Sequence, residues 1–256
     1  MKQNTLIAIA QTLQQHELFY FTSRTLGDLL ELGKVQTSQL LKRMEAAGLA
    51  ARVERGSYLL LGLSPENVLS NPAFIGCNLV TPAYISFWSA SYYHGFTEQA
   101  PQTTFIATTK RKAKVTFGDL RFQFVTLQPQ AFFGYRREPH AGLPVVVANE
   151  EKTILDCLML PEYAGGMAEA ARALSQALTR LNIGTLVEYA KMLKSPSLEA
   201  RLGFLLEFYG QSAKGLARAK GPVSLDPHRP RQGRYDSRWR VVVNFSEQEL
   251  TAEGAV

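Results

Sequence analysis

The sequence predicts an α+β protein in two parts: a small helical unit closed by a β-hairpin, then a larger mixed α/β domain. Three observations predict it. Apolar residues at helical spacing dominate the first 47 positions, two short apolar runs then flank a Gly-containing turn, and strand-like and helix-like segments mix beyond residue 63. With 46% apolar and 20% charged residues, the 256-residue chain can bury a core and is not generally disordered.

In residues 5–16, Leu6, Ile9, Ala10 and Leu13 recur at helical spacing, and Asn4 is placed to cap the start. Phe19, Tyr20 and Phe21 form an aromatic run. Thr22 or Ser23 then opens a second helix carrying Leu26, Leu29 and Leu30, which ends near Gly33. A third helix starts at Gln36, Thr37 or Ser38, with its body over 39–47. Leu40, Leu41, Met44 and Ala47 make its apolar face, and Gln36, Gln39, Lys42, Arg43 and Ala46 lie on the other side. Gly48 stops it, because glycine takes the left-handed conformation without strain. Apolar runs at 49–53 and 58–61 flank Glu54-Arg55-Gly56-Ser57, a hairpin signal.

Helix, helix, turn, helix, hairpin is the order of a winged helix-turn-helix, assigned to residues 1–62. On that plan the third helix enters the major groove of DNA. The expected DNA-binding residues are Gln36, Thr37, Ser38, Gln39, Lys42 and Arg43, with Arg55 at the hairpin tip. Gln36 and Gln39 offer paired donor and acceptor groups to adenine, and Lys42 and Arg43 reach guanine or phosphate. Arg55 lies against the backbone or in the minor groove. The plainer alternatives are a winged helix that docks only on protein, and solvated helix-face charges at Lys42 and Arg43.

Residues 63–245 read as the second domain. Gly62-Leu63-Ser64-Pro65 and Asn71-Pro72 punctuate its start. Residues 85–93 read as an aromatic helix, 103–108 as a strand, 116–126 as a hairpin around Gly118-Asp119, and 144–148 as a strand. Helices are expected at 150–160, 168–181, 185–193 and 197–209, a last strand at 241–245, and a flexible tail at 246–256.

Few residues point to catalysis. Glu150, Glu151, Lys152 and Asp156 form the densest charged group. Glu151 and Asp156 do not share a helix face, which disfavours a metal site, and Glu150 and Glu151 suit a helix N-terminus. His94 reads as a helix C-terminal residue, and His140 and His228 have no partner pattern. Phosphate-loop, dinucleotide, nucleophile-elbow and zinc patterns are absent, so no catalytic residue, metal or cofactor is expected. Cys77 and Cys157 read as free thiols in a reducing, cytoplasmic setting, and no run is long and apolar enough to span a membrane. The net charge of +6 suits a polyanionic partner. Two basic stretches offer a secondary nucleic-acid surface, including RNA contact: Lys110, Arg111, Lys112 and Lys114, and a C-terminal group containing Arg229, Arg231 and Arg234.

Several segments together resemble the AbiEi family of antitoxins and transcriptional regulators from bacterial abortive-infection systems. They are Phe21-Thr22-Ser23-Arg24-Thr25-Leu26, Gly48-Leu49, Arg55-Gly56-Ser57-Tyr58, Ser89-Ala90, His94-Gly95-Phe96-Thr97-Glu98-Gln99 with Pro101, Glu151-Lys152-Thr153-Ile154-Leu155-Asp156, and Gly203-Phe204-Leu205-Leu206-Glu207. The resemblance implies a type IV antitoxin that represses its own operon at inverted-repeat operators. It implies a nucleotidyltransferase-like toxin as functional partner, countered without a stable complex, and an antitoxic C-terminal domain. An orphan regulator would read alike, and a nuclease-like enzyme targeted by the winged helix is the rival of another class.

Overall fold

The computed structural model describes residues 3–251. The chain begins with α1 (Gln3–Gln15), β1 (Tyr20–Thr22), α2 (Ser23–Leu29), α3 (Lys34–Ala46), β2 (Ala50–Glu54) and β3 (Ser57–Leu60). The side chain of Asn4, expected to cap the first helix, lies outside the described residues. Thr22 caps α2, its hydroxyl accepting from the Thr25 N–H at 3.0 Å. The three strands form an antiparallel sheet in the order β1-β3-β2. A small core around Leu13, Leu26, Leu41 and Met44 joins helices to sheet.

Strand alternation explains how this unit is mounted. Leu60 points into the N-terminal core, and its neighbour Leu59 points the other way, into the core of the second domain. Phe19 also crosses, meeting Phe74 edge-on with ring centroids 4.9 Å apart.

The second domain continues with α4 (Pro65–Leu69), α5 (Pro72–Asn78), β4 (Ala83–Ile85), α6 (Phe87–Tyr93), β5 (Thr104–Thr108), β6 (Val115–Phe117), β7 (Leu120–Thr126), β8 (Tyr135–His140) and β9 (Leu143–Ala148). Its sheet has six strands in the order β6-β7-β5-β4-β9-β8, with β5–β7 and β4–β9 parallel and the other pairs antiparallel. α5 packs on β4, β5 and β9. Gly76 is the close-approach point, where a Cβ would come within 3.1 Å of Ile106.

Four helices follow: α7 (Glu150–Met159), α8 (Met167–Ala177), α9 (Ile183–Met192) and α10 (Pro196–Phe208). They enclose a second large core around Leu155, Leu174, Leu186 and Leu205. The chain ends in β10 (Val223–Ser224), β11 (Arg234–Asp236), β12 (Val241–Val243) and α11 (Glu247–Thr251), the strands ordered β10-β12-β11. Of the segment expected as a flexible tail, residues 247–251 instead form a helix. Leu250 is buried in the helical core, and its carbonyl accepts from the Tyr209 hydroxyl at 3.0 Å. Residues 252–256 lie outside the described residues.

The architecture is α+β, with several helices and three sheets among the described residues. Strands β4 and β8 were not legible in the sequence, and α3 begins at Lys34, before the expected Gln36–Ser38.

Candidate nucleic-acid interface

Helix α3 has two clear sides. Thr37, Leu40, Leu41 and Met44 are buried, while Val35, Ser38, Gln39 and Lys42 are exposed. Positions 35, 38, 39 and 42 follow the helical repeat and make one continuous stripe. Arg43 is half-buried beside it.

Two expected contact residues have other tasks. Gln36 is exposed, but its Oε1 accepts the backbone N–H of Gly33 at 3.1 Å and so closes the helix start. Thr37 is 3% exposed and donates to the Gly33 carbonyl at 3.0 Å. It fills the joint with α2, where a Cβ on Gly27 would meet the Thr37 hydroxyl at 3.0 Å. Thr37 is therefore corrected from a contact residue to a packing residue. Val35 was missed by sequence reasoning. It is 72% exposed, an apolar side chain in the first turn of α3 and off its apolar face.

Arg55 sits exposed at the tip of the β2–β3 hairpin, where Gly56 adopts φ 76° and Glu54 pairs with Ser57. The loop before β6 lies alongside. Lys110, Arg111 and Lys114 are exposed there. Lys112 is corrected: its ammonium bonds Glu54 Oε2 at 2.6 Å and lies 5.9 Å from the Tyr20 ring centroid, so it joins the two units instead of facing solvent. Glu54 also accepts from the Tyr20 hydroxyl at 2.7 Å. Burial alone would raise the Glu54 carboxyl, but the bonds from Lys112 and Tyr20 outweigh it and hold it below its ordinary range.

In the C-terminal group, Arg231 and Arg234 are exposed. Arg229 is exposed as well, and it also ties the chain's last elements together. It bonds Glu249 at 2.8 Å, lies 3.5 Å from Asp226 and stacks 4.0 Å from the Phe245 ring, fastening α11.

The acidic residues considered for metal chemistry are spent on the fold. Glu150 accepts two bonds from Arg136, at 2.7 and 3.2 Å, which draw its carboxyl down to about 2. Glu151 accepts from the Asn182 N–H at 2.9 Å, next to the start of α9. Asp156 is fully buried with Lys152 and accepts from Ser86 at 2.7 Å and Tyr84 at 3.3 Å. No cluster of three or more His, Cys, Asp or Glu suited to a metal occurs among the described residues.

His94 caps the C-terminal end of α6 and is 6% exposed. Its Nε2 sits 2.7 Å from the Ala148 carbonyl, which can only accept, so this nitrogen carries the proton. Burial pushes the ring's pKa below the ordinary 6.5, against the smaller pull of Glu150. The unfolded chain thus takes up this proton at a higher pH than the folded chain. Stability is full above the ordinary histidine pKa and declines as pH falls through it. Urea midpoints measured from pH 8 down to 5 are expected to fall below about pH 6.5, with a flatter profile in His94→Gln. An unchanged profile in the variant would clear His94 of this role.

The fold is thus an α+β protein whose small N-terminal unit turns a polar helix face and a basic hairpin outward. The model of the AbiEi antitoxin C-terminal domain matches residues 84–208, which supports an AbiEi-family antitoxin. An antitoxin domain implies a toxin partner. The crystal structure of the RV2827C protein from Mycobacterium tuberculosis has a similar fold, with a TM-score of 0.57 at 12% identity, over 93% of this chain and 90% of that one. No curated protein sequence matches significantly. Among the described residues no helix is long and apolar enough to cross a membrane.

Proposed function

We propose that the chain is a DNA-binding repressor whose N-terminal unit is a winged helix-turn-helix and whose second domain acts as the antitoxin. The observation that carries the DNA reading is the exposed stripe Val35, Ser38, Gln39 and Lys42 on α3. Such a helix presents Gln39 to adenine, Lys42 to guanine or phosphate, and Val35 to a thymine methyl group. Arg55 on the hairpin and Lys110, Arg111 and Lys114 beside it extend the positive surface along the duplex backbone. The element order α1, β1, α2, α3, β2, β3 and the sheet order β1-β3-β2 support the winged-helix assignment.

The target is the chain's own promoter DNA, read as inverted repeats, and the functional partner is a nucleotidyltransferase-like toxin. The exposed Arg231 and Arg234 suit an RNA backbone. An enzyme is the weaker reading, because Glu151 holds the Asn182 N–H and Asp156 is buried in its pair with Lys152.

Fluorescence anisotropy with the promoter DNA and a scrambled duplex, across a salt series, tests the repressor reading. Lys42→Ala and Arg55→Ala are each expected to weaken promoter binding by about 1 kcal/mol and to lower the salt slope by about one. Equal affinity of the wild type for both duplexes would overturn specific regulation. Co-expression with a nucleotidyltransferase-like toxin tests the second half: rescue of growth is expected, and unrelieved toxicity would overturn the antitoxin reading.

A further inference from the structure

We propose that the cleft between the N-terminal unit and the six-stranded sheet binds a small carboxylate with a flat apolar body, in competition with the protein's own Glu17. The cleft has a volume of about 280 Å³, close to the lower end for small-molecule sites. Phe19, Phe132, Tyr135, Pro82 and Val146 supply apolar walls. Tyr135 keeps 43% of its surface open, although its ring stacks on Tyr84 with centroids 4.9 Å apart.

Charge enters through Arg137, which also lines the cleft. Its guanidinium holds the Glu17 carboxylate with two bonds, at 2.7 and 3.1 Å. That fork matches anions that offer two oxygens side by side, and the present occupant is a carboxylate, the group the site is proposed to take. Glu17 is a replaceable occupant. It follows the end of α1 in the left-handed conformation, φ 55°, which is unfavourable for a residue bearing a Cβ. Its side chain is 59% exposed and that of Arg137 50%. An arylcarboxylate on Arg137 keeps both bonds and also lays its ring against Phe132 and Tyr135, apolar surface that Glu17 leaves open. Glu17 and Phe19 belong to the connection between α1 and β1, so the exchange removes one tie between the two units. The site is defined by binding and does not depend on the DNA reading.

Calorimetric titration of the full chain with benzoate, with benzamide as neutral isostere and acetate as carboxylate without a ring, tests this. Benzoate is expected to bind at least about tenfold more tightly than either, and Arg137→Gln to lose about that factor, the difference made by a charge-assisted pair. Glu17→Gln removes the internal competitor and is expected to bind benzoate about fivefold more tightly. Both variants change exposed side chains, and their far-ultraviolet circular dichroism and urea midpoints establish that they fold. Absence of benzoate binding in both the wild type and Glu17→Gln overturns the proposal, as does equal affinity in Arg137→Gln.

Discussion

Asp156→Ala is expected to destabilise the fold by about 3–5 kcal/mol, because it strands a buried ammonium. Lys152 and Asp156 lie one turn apart on α7, and both side chains are fully buried. The Lys152 ammonium has the Asp156 carboxylate as its ion-pair partner, and otherwise faces the rings of Phe133 at 5.3 Å and Tyr84 at 5.7 Å. Those rings attract a cation with about 1–2 kcal/mol, too little to replace a carboxylate at a fully buried position. Asp156 in turn accepts from Ser86 and Tyr84, so the pair also anchors α7 on β4 and the start of α6. Replacing both members, as Lys152→Met with Asp156→Leu, is expected to recover about half of the loss. The remainder, about 1–3 kcal/mol, belongs to hydroxyls left without an acceptor. Urea unfolding of the two variants decides the matter. A loss below about 1 kcal/mol for Asp156→Ala would mean that water or another carboxylate reaches Lys152, and the pair would lose its structural role.

The same pair marks what the sequence could and could not reveal. The spacing of Lys152 and Asp156 is visible in the chain as a helical turn, but their burial is not, since a charged residue is normally read as solvated. The side of α3 was legible because the apolar repeat of Leu40, Leu41 and Met44 fixes which way the helix faces. Its start was not. Gln36 and Thr37 look like residues that precede a helix, but Gly33 takes that place and both work from inside it. Strand β8, Tyr-Arg-Arg-Glu-Pro-His, lies at the sheet edge, mostly exposed, and lacks the alternation by which strands are recognised. Strand β4 is hidden for the opposite reason, as its apolar residues run on into those of α6. Lys112 reads as one of four neighbouring bases. Its partner, Glu54, is far away in sequence, and no local pattern announces a contact of that range.

Gly203→Ala sets two known effects against each other, and the expected result is a loss of about 2–3 kcal/mol. In the middle of a helix such as α10, alanine is favoured over glycine by about 1 kcal/mol. Here the added Cβ would lie 2.4–2.6 Å from three carbons of the Trp239 indole. The ring cannot easily yield. It is 5% exposed, its Nε1 donates to Glu207 at 2.8 Å one turn along α10, and its backbone N–H is held by Asp236 at 2.8 Å. Overpacking of this kind costs about 1–3 kcal/mol and more where the neighbour is fixed, so the clash outweighs the gain in helix propensity. This also gives a physical reason for the pairing of Gly203 with Glu207 in one segment of α10: the first leaves room for the indole and the second anchors its nitrogen. Through Trp239 the terminal three-stranded sheet, outside the matched antitoxin segment, is pinned to a helix inside it. In the background Trp239→Leu, where a smaller and more flexible side chain faces position 203, Gly203→Ala is expected to become neutral or mildly stabilising. A double-mutant cycle measured by urea unfolding should therefore give a coupling of about 2 kcal/mol or more, and simple additivity of the two changes would show that the indole moves aside at little cost.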